Sequence, residues 1–319
     1  MQAEHLLRPS EMLAKPVHID PAFEDPDRVI QLCRDSAPYR LAAAVHKRAP
    51  TGKDVPWFRV MWAIQPGQLL DPGAEFILNN PRFIEAAKES FSADIIIPMS
   101  LMNNVNAPMG PGIPHLDLPF FRGVGKFPFD LLVAMNYSGL FHEWAIPIAS
   151  TISWFYSGCG GEFDYWPDGP EGAVKTIPAP ARNIAVVSDN EYMYHRINAI
   201  GREEERMAPG AISRDAILHA NSEDSGWTIT DGDKTIPFTD EQIRISILWK
   251  AYAFKNEVEL AKFRDHTHDL TMEQTLQMMH DDLKAKGRGE IKMKKGFEDP
   301  ENRKLITTSY LPPEVIRHL

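Results

Sequence analysis

The sequence predicts an α+β chain whose core is mainly β, a sandwich or barrel, set between helical regions at its two ends. Three observations lead there. From residue 93 to about residue 200 helical periodicity largely disappears, and short runs rich in Ile, Val, Phe, Tyr and Trp alternate with Pro and Gly. The segments before and after this stretch keep helical spacing. One more apolar strand, 242–252, returns after a charged interval and closes the β region.

Taken in order, residues 1–92 read as a support region, with short helices at 27–36 and 82–90, proline-rich connections and a strand at 57–64. Residues 93–252 read as the core. Its expected strands are 94–101, 129–137, 152–156, 162–166, 173–177, 183–188 and 191–195, with 242–252 last. The insert 201–241 is charged, lacks a steady period and interrupts the core just before its closing strand, which suggests a lid or substrate loop. Residues 253–319 are helical in pattern, most clearly 271–286, which opens on the capping sequence Thr271-Met272-Glu273-Gln274. A single domain over 1–319 accommodates all of this.

Composition narrows the classes. With 319 residues, 43% of them hydrophobic, the chain can bury one large core. Its net charge of −10 argues against a nucleic-acid partner, since phosphate binding needs a clustered positive surface. The basic stretch 284–295 reads as the solvated end of a helix. Residues 1–16 lack the basic region, apolar core and cleavage site of a secretory leader. No segment reaches the roughly 18 apolar residues of a membrane span. Cys33 and Cys159 are too few for a disulfide framework and read as free thiols in a reducing compartment, so a cytoplasmic location is expected.

The chemistry-bearing feature is His115-Leu116-Asp117, followed 80 residues later by His195 at the end of an apolar run. On an extended segment residues i and i+2 share a face, so His115 and Asp117 can offer a nitrogen and an oxygen to one ion, with His195 as third ligand from elsewhere in the fold. Two His and one carboxylate on one face of an octahedron leave three positions open, the arrangement used by non-haem iron(II) oxygenases.

Four segments then carry a family resemblance: Pro114-His115-Leu116-Asp117; the run from Gly160-Gly161-Glu162 through Trp166-Pro167-Asp168-Gly169; Asn183 to Asn190 continuing through Tyr194 to His195; and Arg244-Ile245-Ser246. The first and third resemble the strands that carry the metal ligands, the second the Gly-Gly-Glu strand and turn, and the fourth the Arg-x-Ser of the Fe(II)/2-oxoglutarate-dependent oxygenase superfamily, over about half of the chain. The resemblance implies a double-stranded β-helix core, a cupin-like jelly roll. It also implies Fe(II) on His115, Asp117 and His195, with 2-oxoglutarate and O₂ as co-substrates and succinate and CO₂ as products. Arg244 and Ser246 would grip the far carboxylate of 2-oxoglutarate, a task suited to the planar guanidinium fork. Arg244 stands in an apolar run, where an unpaired guanidinium is costly, so an anion should meet it. It follows His195 by 49 residues, farther than in many members, and Arg202 is the second choice for this anchor. Asn136 and Tyr137, on an expected barrel strand, are further candidate contacts. Retention of Asp117 favours hydroxylation, or desaturation or ring closure, over halogenation.

Other candidates weigh less. His142 reads as a hydrogen-bonded histidine at the core edge, His219 as an exposed residue of the insert, and Asp265-His266-Thr267-His268-Asp269 as a helix end or loop. Phe120 and Phe121 could shape a pocket mouth or simply pack. No phosphate-binding loop follows the glycines around Cys159, and no Gly-x-Ser-x-Gly elbow is present. The expected partner is a small-molecule substrate, ranked above a peptide because the insert suggests a covered pocket; a homodimer stays open. Two alternatives also stay open: a cupin-like metal enzyme that uses the same triad without 2-oxoglutarate, and a non-catalytic metal-binding protein.

Overall fold

The computed structural model describes residues 14–46, 52–222 and 225–316. The stretch inspected for a leader lies outside these up to residue 13, as do residues 223–224 of the insert.

The strands in chain order are β1 (Val17–Ile19), β2 (Tyr39–Leu41), β3 (Trp57–Ile64), β4 (Gln68–Leu69), β5 (Ile95–Asn106), β6 (Ile148–Tyr156), β7 (Phe163–Trp166), β8 (Lys175–Ile177), β9 (Ala181–Ser188), β10 (Tyr194–Ile197), β11 (Ile217–Ala220), β12 (Trp227–Asp231), β13 (Lys234–Phe238) and β14 (Arg244–Phe254). They build an 11-stranded sheet in the order β1-β9-β6-β14-β5-β3-β2-β11-β12-β13, with β4 on β3, and a 3-stranded sheet in the order β10-β7-β8. All pairings between these strands are antiparallel. The expected mainly β core with flanking helices is therefore present.

Alternation along β14 explains how the layers sort. Ile245, Ile247 and Trp249 point to one face and enter a core shared with Phe23 and with Val29, Phe83 and Ala87 from the helices Pro26–Asp35 and Pro81–Phe91. Both helices start where the sequence signals it: Asp25 and Asn80 cap backbone N–H groups, and Pro26 and Pro81 occupy the first helical position. Phe83 is fully buried, with edge contacts to Phe23 and Trp249. Phe83→Ala is expected to cost about 3–5 kcal/mol of stability, read as a lower midpoint in chemical denaturation; a change under about 1 kcal/mol would mean that this core relaxes around the cavity.

The other face of β14 carries Arg244, Ser246, Leu248 and Lys250 toward the small sheet, where Trp154 and Val186 of the large sheet pack with Phe163, Tyr165 and Ile177. The outer face of the small sheet is covered in turn: Tyr194 and Trp166 join a cluster with the helices Phe129–Ser138, Met272–Ala285 and Pro300–Tyr310. Thr271 and Gln274 form the expected capping box of the second of these helices. The basic stretch lies at its end and beyond, where Lys284, Lys286, Lys292 and Lys295 pair with Glu290, Asp282, Glu301 and Asp299.

Two expectations are corrected. The segment expected as strand 129–137 is the helix Phe129–Ser138, ended by Gly139 in the left-handed region at φ 68°. Its nearly unbroken apolar run fits a buried helix as well as a buried strand, and Leu131, Ala134 and Met135 at i, i+3 and i+4 face the helical cluster. The insert is not the irregular loop that its pattern suggests. Its strands β11, β12 and β13 continue the large sheet outward from β2, because exposed edge amides there gain partners by pairing in-plane. Strands paired in the plane of the sheet do not by themselves cover a pocket, so small molecules and peptides stand level as substrates.

Candidate metal centre

His115 belongs to no named strand. It meets β10 at one two-way bridge, where the N–H of each histidine donates to the carbonyl of the other, His115 to His195 at 3.0 Å and back at 3.1 Å. The rings come to 4.4 Å between centroids. Asp117, two residues on, is held by its own N–H to Asn190 O at 2.8 Å. The i, i+2 expectation therefore holds on a short extended segment beside β10. His195 is the second residue of its strand rather than the last.

Each imidazole is oriented from behind. Nδ1 of His115 donates to Ile113 O at 2.9 Å, and Nδ1 of His195 to Met193 O at 3.0 Å. A carbonyl can only accept, so in the neutral ring Nδ1 carries the proton and Nε2 keeps its lone pair. Those two Nε2 atoms stand 4.0 and 3.6 Å from Asp117 Oδ1. The three ligand atoms lie within 4.8 Å of one another, the one such group of His, Cys, Asp or Glu among the described residues. The side chains are 42%, 20% and 6% exposed for His115, Asp117 and His195, so the group opens on the His115 side.

Sequence reasoning missed what lies behind Asp117. Lys250 Nζ on β14 donates to Asp117 Oδ2 at 2.8 Å and to Glu191 Oε1 at 2.5 Å. Burial pushes the Asp117 carboxyl up, but Lys250, His195 and His115 outweigh it and hold the group well below the usual carboxylate range. Burial leads the opposite result at Glu191, whose carboxyl is raised with help from the Asp117 charge despite Lys250. Burial alone would lower Lys250, yet the two carboxylates hold it protonated. A signal existed: Lys250 is a lone cation in the apolar run Ile247-Leu248-Trp249-Lys250-Ala251-Tyr252, the same cost argument that singles out Arg244.

Arg244 opens β14 and is buried. Its Nε donates to Gly161 O at 2.9 Å and its Nη1 to Ser246 Oγ at 3.3 Å, and no carboxylate of the described residues lies within 4.0 Å. Burial lowers the guanidinium to about 10, with the nearby Tyr156 and Glu162 only partly opposing. The Gly-Gly pair acquires a physical reason here. A Cβ on Gly160 would stand 2.2 Å from Ala199 O, and one on Gly161 3.0 Å from Arg244 Cδ, both at positive φ.

The remaining candidates fall elsewhere. Arg202 is exposed, at the start of a 3₁₀ turn, with its backbone N–H on Glu205. Asn136 lies on the helix Phe129–Ser138 instead of a barrel strand, and its Nδ2 donates to Glu191 O at 2.6 Å. Tyr137, on the same helix, packs against Tyr194. His142 sits beside Tyr192, His219 Nε2 meets Thr230 Oγ1, and His266 pairs with Asp269 on the surface. Phe121 packs among the helices, and Phe120 against the cluster around Tyr252. Cys33 is buried and Cys159 exposed, both free. No helix of the described residues is long and apolar enough to cross a membrane.

Neither a family model nor a curated protein sequence matches the chain. Among solved structures it is similar to an oxidoreductase of the 2OG-Fe(II) oxygenase family from Burkholderia pseudomallei, at 13% identity and TM-score 0.42, over 76% of this chain and 87% of the other. It is similar to a prolyl-4-hydroxylase from Pseudomonas putida at 12% identity and TM-score 0.38, over 76% and 94%. A third is HygX from Streptomyces hygroscopicus, with nickel, 2-oxoglutarate and hygromycin B bound, at 8% identity and TM-score 0.39, over 76% and 84%. Overlaps this loose do not decide chemistry, which rests on the geometry of the site.

Proposed function

We propose that this chain is a non-haem Fe(II)- and 2-oxoglutarate-dependent oxygenase that hydroxylates an organic substrate. The observation that carries the reading is the convergence of His115 Nε2, His195 Nε2 and Asp117 Oδ1, each held from behind, on one open-sided point. Two neutral imidazoles and one carboxylate suit a ferrous ion and leave part of its coordination sphere free. Such an ion supplies the O₂-dependent oxidation when bound; the residues here bind and orient.

The strand path supports the fold expected for such an enzyme. Along the chain β5, the His115 segment, β6, β7 with β8, β9, β10 and β14 alternate between the large and the small sheet, as the turns of a double-stranded β-helix do. Arg244 supports the co-substrate. A buried guanidinium without a carboxylate, on the inward face of the strand that also carries Lys250, fits the far carboxylate of 2-oxoglutarate, and Ser246 beside it can donate to the same group. A triad enzyme working without 2-oxoglutarate would have no use for this cation. Because Asp117 retains its carboxylate, hydroxylation or a related oxidation is preferred over halogenation.

The test is anaerobic titration of Fe(II)-loaded protein with 2-oxoglutarate, following the weak visible charge-transfer band of the chelate. A saturating band supports the assignment. Iron binding without a band removes 2-oxoglutarate and leaves a metal enzyme of another kind. Gly161→Ala supplies a second check: its Cβ would press on Arg244, at a φ of 75° that costs about 1–3 kcal/mol for a residue with a side chain. A lower melting temperature together with weaker 2-oxoglutarate binding is expected. A fall in melting temperature alone would separate Gly161 from the anchor.

A further inference from the structure

We propose that Lys250 is a positioning residue that restricts Asp117 to one-oxygen ligation and so keeps the coordination positions needed by a chelating co-substrate open. The inference rests on the metal-centre reading above. Its basis is the division of the Asp117 carboxylate: Oδ1 faces the Nε2 atoms of both histidines, while Oδ2 accepts from Lys250 Nζ at 2.8 Å. An oxygen engaged in a charge-assisted bond from an ammonium is held toward that donor and gives up part of its electron density to it, so it is the poorer ligand of the two.

Lys250 is itself held in place. Glu191 Oε1 takes its Nζ from the other side at 2.5 Å, and the Lys250 and Glu191 side chains are only 9% and 2% exposed. Swinging out would leave buried Glu191 and part-buried Asp117 side by side without their cation, which is unfavourable. Glu191 is fixed in turn from the helix Phe129–Ser138, whose Asn136 Nδ2 donates to its backbone carbonyl. A relay of contacts therefore runs from Asn136 through Glu191 and Lys250 to the oxygen of Asp117 that must stay away from the metal.

With one position taken by Asp117 and two by the histidines, three remain, enough for a two-point chelate and one further ligand. An Asp117 free to use both oxygens would take one of these. In Lys250→Met, which keeps most of the side-chain shape without the charge, Co(II) binding is expected to stay within a few-fold of the unsubstituted protein. The visible Co(II) absorption should change shape, and the Co(II)-loaded protein should bind 2-oxoglutarate about 10-fold or more weakly, the scale of effect of residues that orient metal ligands. Glu191→Gln, which loosens Lys250 without removing it, should shift both readouts in the same direction by roughly threefold. An unchanged Co(II) spectrum with unchanged 2-oxoglutarate affinity in Lys250→Met overturns the proposal. So does complete loss of Co(II) from a variant that circular dichroism finds folded, since Lys250 would then serve metal retention itself. Should Lys250→Met not fold, Glu191→Gln decides by the same criteria. Failure of the unsubstituted protein to bind Co(II) is a different result, which removes the metal-centre reading before any variant is made.

Discussion

His195→Ala is expected to abolish stoichiometric Fe(II) and Co(II) binding while leaving a folded chain. The imidazole supplies one of three ligand atoms, and its removal leaves Asp117 and His115 alone on an open face. Residues that merely orient metal ligands typically change affinity 10–100-fold, so loss of a ligand should exceed about 100-fold. His115→Ala should behave in the same way. The fold should survive, because the backbone bridge between residues 115 and 195 does not depend on either side chain. Anaerobic equilibrium dialysis with total-metal analysis measures the first effect and thermal unfolding the second. If either variant bound one metal ion with affinity close to that of the unsubstituted protein, the ion would sit elsewhere and the proposed site would be wrong.

Arg244→Met is the second large effect. Iron binding should persist, since Arg244 makes no contact with the triad, while 2-oxoglutarate binding should nearly disappear. Truncating one partner of a buried charged contact costs about 2–5 kcal/mol, or roughly 30-fold to several thousandfold in affinity. The variant also relieves a buried cation that has no carboxylate of the described residues within 4.0 Å, so its thermal stability without ligand should be unchanged or slightly raised. That pairing of results, a lost co-substrate with no loss of stability, is difficult to obtain from a residue retained only for packing. Full 2-oxoglutarate affinity in Arg244→Met would move the anchor off β14. Exposed Arg202, whose backbone caps a surface turn, would be a poor successor.

The helical stretch 129–138 and the insert show where pattern reading stops. A run such as Leu131-Leu132-Val133-Ala134-Met135 is apolar at nearly every position, so neither a period of 2 nor one of 3.6 stands out, and neighbours decide the outcome. Asn136 lies on the helix for the same reason. The charged insert looked like a loop because its strands are short and half-exposed, and pairing with the β2 edge is information held by another part of the chain.

What the sequence determined by itself is the local chemistry: two candidate ligands that share a face at i and i+2, a distal histidine on a strand, a cation in an apolar run, and a mainly β core between helices. Each follows from spacing or from the cost of burying a charge, which are properties of short segments. Only the tertiary structure decided which way each ligand atom points and what stands behind it. Gly161 against Arg244, and Lys250 divided between Asp117 and Glu191, join groups far apart in the chain, Lys250 lying 133 residues from Asp117. Contacts of that kind are set when two sheets close on each other, and no period along the chain encodes them.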